Sequence, residues 1–408
     1  MRDGEGSGVS IRSERATPPL TRSGLQRIPK IYVDVRAYTM VVALVLVWLV
    51  FTFLTDGRFL TSRNLALLFR QATVTAIAAT GIVLVIVAGH IDLSVGSVAA
   101  LAGGVAAILQ VWHGYPTWLV VIVALALATL IGVWQGVWVA YLGVPAFIVT
   151  LGGMLVWRGI ILLLTDGKSI SGMRDDFEAI GQGFISPTWG WILAGLALVA
   201  VFGLMLHARV NRQRRGLPVE PVWRTILKAL LISALIVSTV VVMNDYEGVP
   251  VPMLLLLVMV MTFSVIANYT PFGRHLYAIG GNAEAARLSG INIARTVLGA
   301  FTLMGFVSGV AGLVLTARLS GFGSNLGNLL ELDAIAAAVI GGTSLSGGEG
   351  SVARATIGAL VMASIDNGMS LMNTDPFWQY VVKGLMLMVA VLMDMVGKRR
   401  RVWRSSEA

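Results

Sequence analysis

The sequence predicts an all-α polytopic membrane protein with about ten transmembrane helices, and two observations carry that prediction. Of its 408 residues, 56% are hydrophobic and 12% charged, at a mean hydropathy of +0.82, whereas an average soluble domain is about 25% charged. The apolar residues gather into runs of 17 to 24, close to the roughly 20 that a helix needs to cross the hydrocarbon core. A membrane β-barrel is excluded, because its strands show short alternating segments rather than long unbroken runs.

The runs place spans at 38–54, 72–89, 93–111, 117–140, 146–165, 189–206, 225–243, 250–269, 296–317 and 376–396, with a broken apolar region at 333–372. Residues 1–37 are polar and carry seven Arg or Lys; they read as a mostly disordered tail. That stretch is too long and polar before its first apolar run to be a cleaved signal peptide, so it is taken as part of the mature protein. Residues 397–408 form a second basic tail.

The net charge of +9 and a pI near 10.2 raise the question of nucleic acid, and the placement of the charges answers it. Twenty of the 30 Lys and Arg fall in alternate segments, 1–37, 207–224, 270–295 and 397–408. The opposite segments hold six, and four more lie in or beside spans. Positive charge marks the cytoplasmic side, so both termini are expected inside and the basic pI is a topology signal. Trp112, Trp118, Trp189, Trp191 and Trp378 lie at span ends, where amphipathic rings prefer the headgroup level.

Four segments depart from simple spanning. In the loop 270–295, Gly280-Gly281 breaks preceding structure, Asn282 is a good N-cap, Glu284 suits the first turn and Gly290 is placed to terminate. The expected product is a two-turn helix over 282–290. Such a helix is marginal alone; it either lies on the membrane surface or docks into a partner, and its lack of aromatic anchors and of a basic face favours docking.

At Gly89–Val98 two apolar runs meet with almost no loop, and Asp92 and Ser94 can cap a helix beginning near Val95. An ionisable residue there should face the bundle interior or a water-filled cavity. The stretch Asp333–Val352 reads as a half-length helix stopped by glycines, with Thr343, Ser344 and Ser346 in the break. Broken helices at membrane depth line cavities or are buried in protein; the bland alternative is a pair of caps near the interface. Leu93-Ser94 with Gly96-Ser97-Val98, and Leu345-Ser346 with Gly350-Ser351-Val352, hint at an internal duplication. Asp366 and Asn367 either face a pathway or cap a helix, and Asp394 reads as structural. The largest polar insertion, 166–188, carries Asp175, Asp176 and Glu178 and is either a solvated lid or a landing surface.

The chemistry of an enzyme is not visible. There is no cysteine and there are four scattered histidines, so thiolate chemistry is ruled out and a metal centre has little support; no cofactor is expected. Gly167-Lys168-Ser169 imitates the end of a phosphate loop, but Leu162 stands where its first glycine belongs. ATP hydrolysis is not expected of this chain.

The string Arg274-His-Leu-Tyr-Ala-Ile-Gly-Gly-Asn-Ala-Glu-Ala-Ala-Arg-Leu-Ser-Gly-Ile-Asn resembles the cytoplasmic loop of monosaccharide permeases of bacterial ATP-binding-cassette importers. Ile91–Ser97, Val144–Leu151, Glu331–Ala336 and Val339–Leu345 resemble further motifs of that family, in the same order. Tyr32–Arg70, the insertion 207–228 and Ser364–Ser370 look most like its xylose-transporting members.

The resemblance implies a homodimeric pore in the bacterial inner membrane, a separate cytoplasmic ATPase subunit in two copies and an extracytoplasmic sugar-binding protein. It also implies that Gly281, Asn282, Glu284, Ala285, Ala286, Arg287 and Gly290 form the element coupled to the ATPase. Glu284-Ala285-Ala286 with Gly290 is similar to the EAA core of importer permeases, although Ile291-Asn-Ile-Ala-Arg replaces the Leu-Pro that often closes that pattern. Asp92, Ser94, Thr343, Ser344, Ser346, Asp366 and Asn367 are the candidates for the translocation pathway. Two rival readings stand beside this one: an ion-driven secondary transporter using Asp92, Asp366 or Lys383, and an intramembrane glycosyl- or lipid-modifying enzyme.

Overall fold

The computed structural model describes residues 35–217, 219 and 221–406. The tail expected at 1–37 lies, through residue 34, outside the described residues. The chain is helical almost throughout: α1 (Val35–Leu54), α2 (Ser62–Val87), α3 (Val95–Ala107), α4 (Thr117–Ala140), α5 (Ala146–Thr165), α6 (Asp175–Gln182), α7 (Pro187–Arg214) and α8 (Val222–Asn244). Then come α9 (Val251–Tyr269), α10 (Pro271–Gly281), α11 (Ala283–Leu288), α12 (Ile293–Arg318), α13 (Leu330–Ile340), α14 (Val352–Leu371) and α15 (Pro376–Ser406). A π-helical turn at Ile108–Trp112 extends α3.

Among the described residues, nine helices are long and apolar enough to cross a membrane. They are α2, α3 with its π turn, α4, α5, α7, α8, α9, α12 and α15; α1 adds the shorter apolar stretch Met40–Leu54. The all-α polytopic architecture follows directly from the apolar runs. In hydrocarbon every backbone N–H must find its partner within the segment, and a helix does that.

The core is built from α2, α12, α13 and α14, which are buried along most of their length together with α3. Around it α4, α5, α7, α8, α9 and α15 turn long apolar faces outward. Small residues let core backbones touch: a Cβ at Gly305 on α12 would run into the carbonyl of Ala128 and the backbone of Gly132 on α4.

One end of the bundle carries α6 and two short antiparallel ladders. β1 (Ile170–Ser171) pairs with β4 (Gly321–Phe322), and β2 (Phe184–Ile185) pairs with β3 (Val249–Pro250). Phe177 of α6 is fully buried, and Gln182 Nε2 donates to Ser320 Oγ at 2.6 Å. The insertion 166–188 is therefore pinned to the end of α12 and is not a loose solvated lid, although Asp175 and Asp176 remain exposed.

The other end carries α10 and α11. Gly280-Gly281 does not break the preceding structure as the sequence suggested, because α10 runs through both glycines. Its reason is tertiary: a Cβ at Gly280 would meet the carbonyl oxygen of Val87 and the amide of Gly348, so only glycine allows this approach. Helix α15 runs on through the basic segment from 397 as far as Ser406.

Two interruptions shape the interior. After Val87 the chain turns back without helix, and α3 begins at Val95 beside the middle of α12, where a Cβ at Gly312 would meet the backbone of Ala99. Helix α13 has eleven residues, about 17 Å at 1.5 Å per residue, too short to cross. The two breaks touch: a Cβ at Gly347 would lie within 3.1 Å of the Gly89 nitrogen.

Candidate functional site

Helix α11 is as short as its caps allow. Asn282 Oδ1 accepts from the Ala285 N–H at 2.9 Å, Glu284 occupies the first turn, and Arg287 Nη2 meets Glu284 Oε1 at 2.7 Å. Both partners are exposed, so that pair is worth a few tenths of a kcal/mol. Gly290, at φ +81°, ends the helix in a left-handed conformation that disfavours any residue with a Cβ.

What α11 shows to solvent matters more than what it buries. Of Gly281–Gly290 only Ala286 is buried, while Leu288 is 79% exposed. The six residues of α11 could not persist alone; their support is α10. Leu276 and Ile279 of α10 are buried, and Tyr277 Oη donates to the Gly350 carbonyl at 3.0 Å. Burial raises the Tyr277 phenol above its ordinary pKa, against the opposing effect of Arg354. The Gly348 N–H in turn donates to Val87 O at 2.9 Å. The platform under α11 is thus the end of α2 and the 341–351 turn between α13 and α14.

The pathway candidates separate into three groups. Asp92 and Ser94 form a closed turn: the Ser94 N–H and Oγ both donate to Asp92 Oδ1, at 2.8 and 2.6 Å. Ser94 has one hydroxyl proton, so it accepts from Gln135 Nε2 at 2.9 Å rather than donating there. These side chains are spent on starting α3 and tying it to α4. Ser94 is the N-cap residue by position, but its side chain makes no cap bond.

Thr343 and Ser344 are fully buried in the turn above Val87, with Ser344 Oγ 3.3 Å from Ser346 Oγ. They belong to the platform of α11. Asn367 exchanges hydrogen bonds with Asn64 at 2.9 and 3.0 Å, joining α14 to α2.

Its neighbour Asp366, a step of about 100° around the helix, points elsewhere. Lys383 Nζ of α15 lies 2.9 Å from Asp366 Oδ2 and 2.8 Å from Asp333 Oδ2 of α13. The sequence candidates did not include Asp333, and Lys383 entered only through the rival ion-driven reading. The available signal was that an ionisable residue in a span requires a partner of opposite sign. Beside this triad lies a cavity of about 380 Å³, walled by α2, α12, α13, α14, α15 and the 319–329 segment.

The interior thus holds a buried ion triad and a broken helix beside a cavity, and an exposed helix stands on a glycine platform. The sequence profile of the branched-chain amino acid transport system permease component matches residues 64–391. The chain belongs to this family. The permease is 47% identical over 367 residues to the xylose transport system permease protein XylH of Escherichia coli K12, covering 90% of this chain and 93% of that one. It is 44% identical to XylH of Haemophilus influenzae over 368 residues, covering 90% and 98%. It is 32% identical to the ribose import permease protein RbsC of Bacillus subtilis over 338 residues, covering 82% and 86%. No solved structure matches the permease.

Proposed function

We propose that this chain is the membrane-spanning permease of an ATP-binding-cassette importer of a monosaccharide, with xylose favoured, in the bacterial inner membrane. The observation that carries this reading is α11: a capped helix exposed on every residue but Ala286, rigidly seated, in a chain 47% identical to a xylose transport permease. ATP hydrolysis belongs to a separate subunit, and delivery of the sugar to a binding protein outside; the pore is formed with a second copy of the chain.

The count of Lys and Arg supports a cytoplasmic α10–α11 end and cytoplasmic termini. The α6 end is then external, and exposed Asp175 and Asp176 offer an acidic landing surface for the binding protein. The Thr117 hydroxyl is the main influence holding the Asp176 carboxyl below its usual pKa, which favours its charged form.

Coupling follows from the seating of α11. Closure of the ATPase displaces α11, α10 moves with it, and the contact of Gly280 with Val87 and Gly348 delivers the motion to α2 and to the turn between α13 and α14. A switch from one access state to the other needs ATP to favour one of them by several kcal/mol.

The test is uptake of labelled xylose, ribose, arabinose and galactose with the ATPase and binding protein co-expressed. Leu288→Asp or Glu284→Lys is expected to abolish ATPase co-purification and uptake while leaving membrane insertion intact. Accumulation of sugar by this chain alone on an ion gradient would overturn the reading.

A further inference from the structure

The cavity beside the triad has features that the coupling reading leaves unused. Its wall includes Arg318 and Leu319 at the α6 end of α12, and it is large enough for a small ligand, since such sites start at roughly 300 Å³. Lys383 neutralises one oxygen of each carboxylate, Oδ2 of Asp333 and Oδ2 of Asp366. The other oxygens, Asp333 Oδ1 and Asp366 Oδ1, are buried without a hydrogen-bond partner, and Asp333 is only 8% exposed. Both residues line the cavity. Buried acceptors of this kind are kept where something else supplies the donor.

The surrounding wall says what that donor is. Gln71, Thr75, Arg318, Asn325 and Asn328 line the same space, giving amide, hydroxyl and guanidinium groups around two carboxylates. The formal charges of Asp333 and Asp366 are balanced by Lys383 and Arg318, so the cavity carries no net charge to hold a metal cation or an anion. Lys383 has three donor positions and uses two of them. Carboxylates and amides opposite free donors, with Val74, Leu315 and Leu330 as apolar wall, are complementary to a neutral polyol whose adjacent hydroxyls both donate and accept.

We propose that this cavity is a sugar-binding way-station contained within a single permease chain, in which Asp333 Oδ1 and Asp366 Oδ1 accept hydrogen bonds from hydroxyls of a neutral monosaccharide. The inference rests on the sugar-importer reading and adds a site to it. Asp333 lies one short helix away from the turn that supports α10, so the same displacement that reaches this turn also reaches the site.

The chain has no cysteine, which makes single-cysteine protection a clean test. Thr75→Cys places a near-isosteric thiol in the cavity wall, and Lys168→Cys places one on the exposed 166–174 loop at the same end. In the assembled transporter, xylose is expected to slow modification of Thr75→Cys by a small thiosulfonate along a saturable curve, about threefold at twice the half-saturating concentration. Lys168→Cys is expected not to respond, and raffinose, too large for the cavity, is expected to protect neither. Thr75→Trp, which fills the cavity, is expected to abolish uptake while ATPase co-purification persists.

Failure of wild-type transporter to take up any monosaccharide would sink the importer reading itself. With wild-type uptake intact, the way-station is overturned by any of three results: no effect of xylose on Thr75→Cys, no labelling of Thr75→Cys even without sugar, or equal protection by sodium ions. Normal uptake through Thr75→Trp overturns it as well.

Discussion

Lys383 is one cation shared between two buried carboxylates, so its removal and its wholesale replacement have opposite consequences. Lys383→Met leaves Asp333 and Asp366 facing each other without the cation that bridges them, and breaking a buried pair costs about 3–5 kcal/mol. The combination Asp333→Asn, Lys383→Met and Asp366→Asn removes all three charges and is expected to recover most of that loss. Thermal unfolding of the detergent-purified chain checks both, and a triple variant no more stable than Lys383→Met would show that the three side chains do not stabilise one another as a unit. Asn282 acts on a smaller scale: Asn282→Ala removes the bond to the Ala285 N–H and costs about 1 kcal/mol, enough to fray six residues. Its expected signature is weakened ATPase co-purification with an unchanged melting temperature of the permease, because the rest of the fold does not depend on α11.

Adjacent glycines of α10 carry the element-scale argument. At Gly280 a Cβ would strike the backbone of Val87 and Gly348, atoms that no rotamer change can move, whereas at Gly281 nothing lies within 4 Å. Gly280→Ala is therefore expected to lift α10 from the 341–351 turn and uncouple ATP hydrolysis from uptake. Gly281→Ala is expected to stabilise α10 by up to about 1 kcal/mol and leave coupling unchanged. The ratio of sugar transported to ATP hydrolysed in proteoliposomes distinguishes the two; equal ratios would remove the platform from the coupling route.

The same pair of glycines explains why α10 was illegible in the sequence while α11 was not. The signals for α11, Asn282 at one end and Gly290 at the other, are local and act within one turn. The signal at Gly280 is a contact with Val87 and Gly348, far away in the chain, and it outweighs the weak helix propensity of two consecutive glycines. Legibility of the candidate site divides in the same way. The order of Asp92 and Ser94 alone marks the start of α3, but the meeting of Asp333, Asp366 and Lys383 is a product of three helices packing. Asn367, next to Asp366 in sequence, bonds to Asn64 on α2 and not to the triad.

At the scale of the whole molecule, the spans were nearly all readable because hydrocarbon leaves the backbone so few options. Orientation is a different kind of property: it depends on which flanking loops hold the positive charge, and the distribution of twenty against six is the basis for the proposed cytoplasmic placement of the α11 end. The absence of native cysteine lets that placement be tested one residue at a time. Ser289→Cys lies in the exposed turn after α11, and Lys168→Cys lies in the exposed loop before α6. In intact cells stripped of their outer membrane, an impermeant maleimide is expected to label Lys168→Cys at once and Ser289→Cys only after the inner membrane is opened. The reverse pattern would put α11 outside, out of reach of any ATPase, and the coupling role assigned to Asn282, Glu284 and Gly290 would fall with it. Because the two probes sit at opposite ends of the bundle, either pattern fixes which end of it faces the cytoplasm.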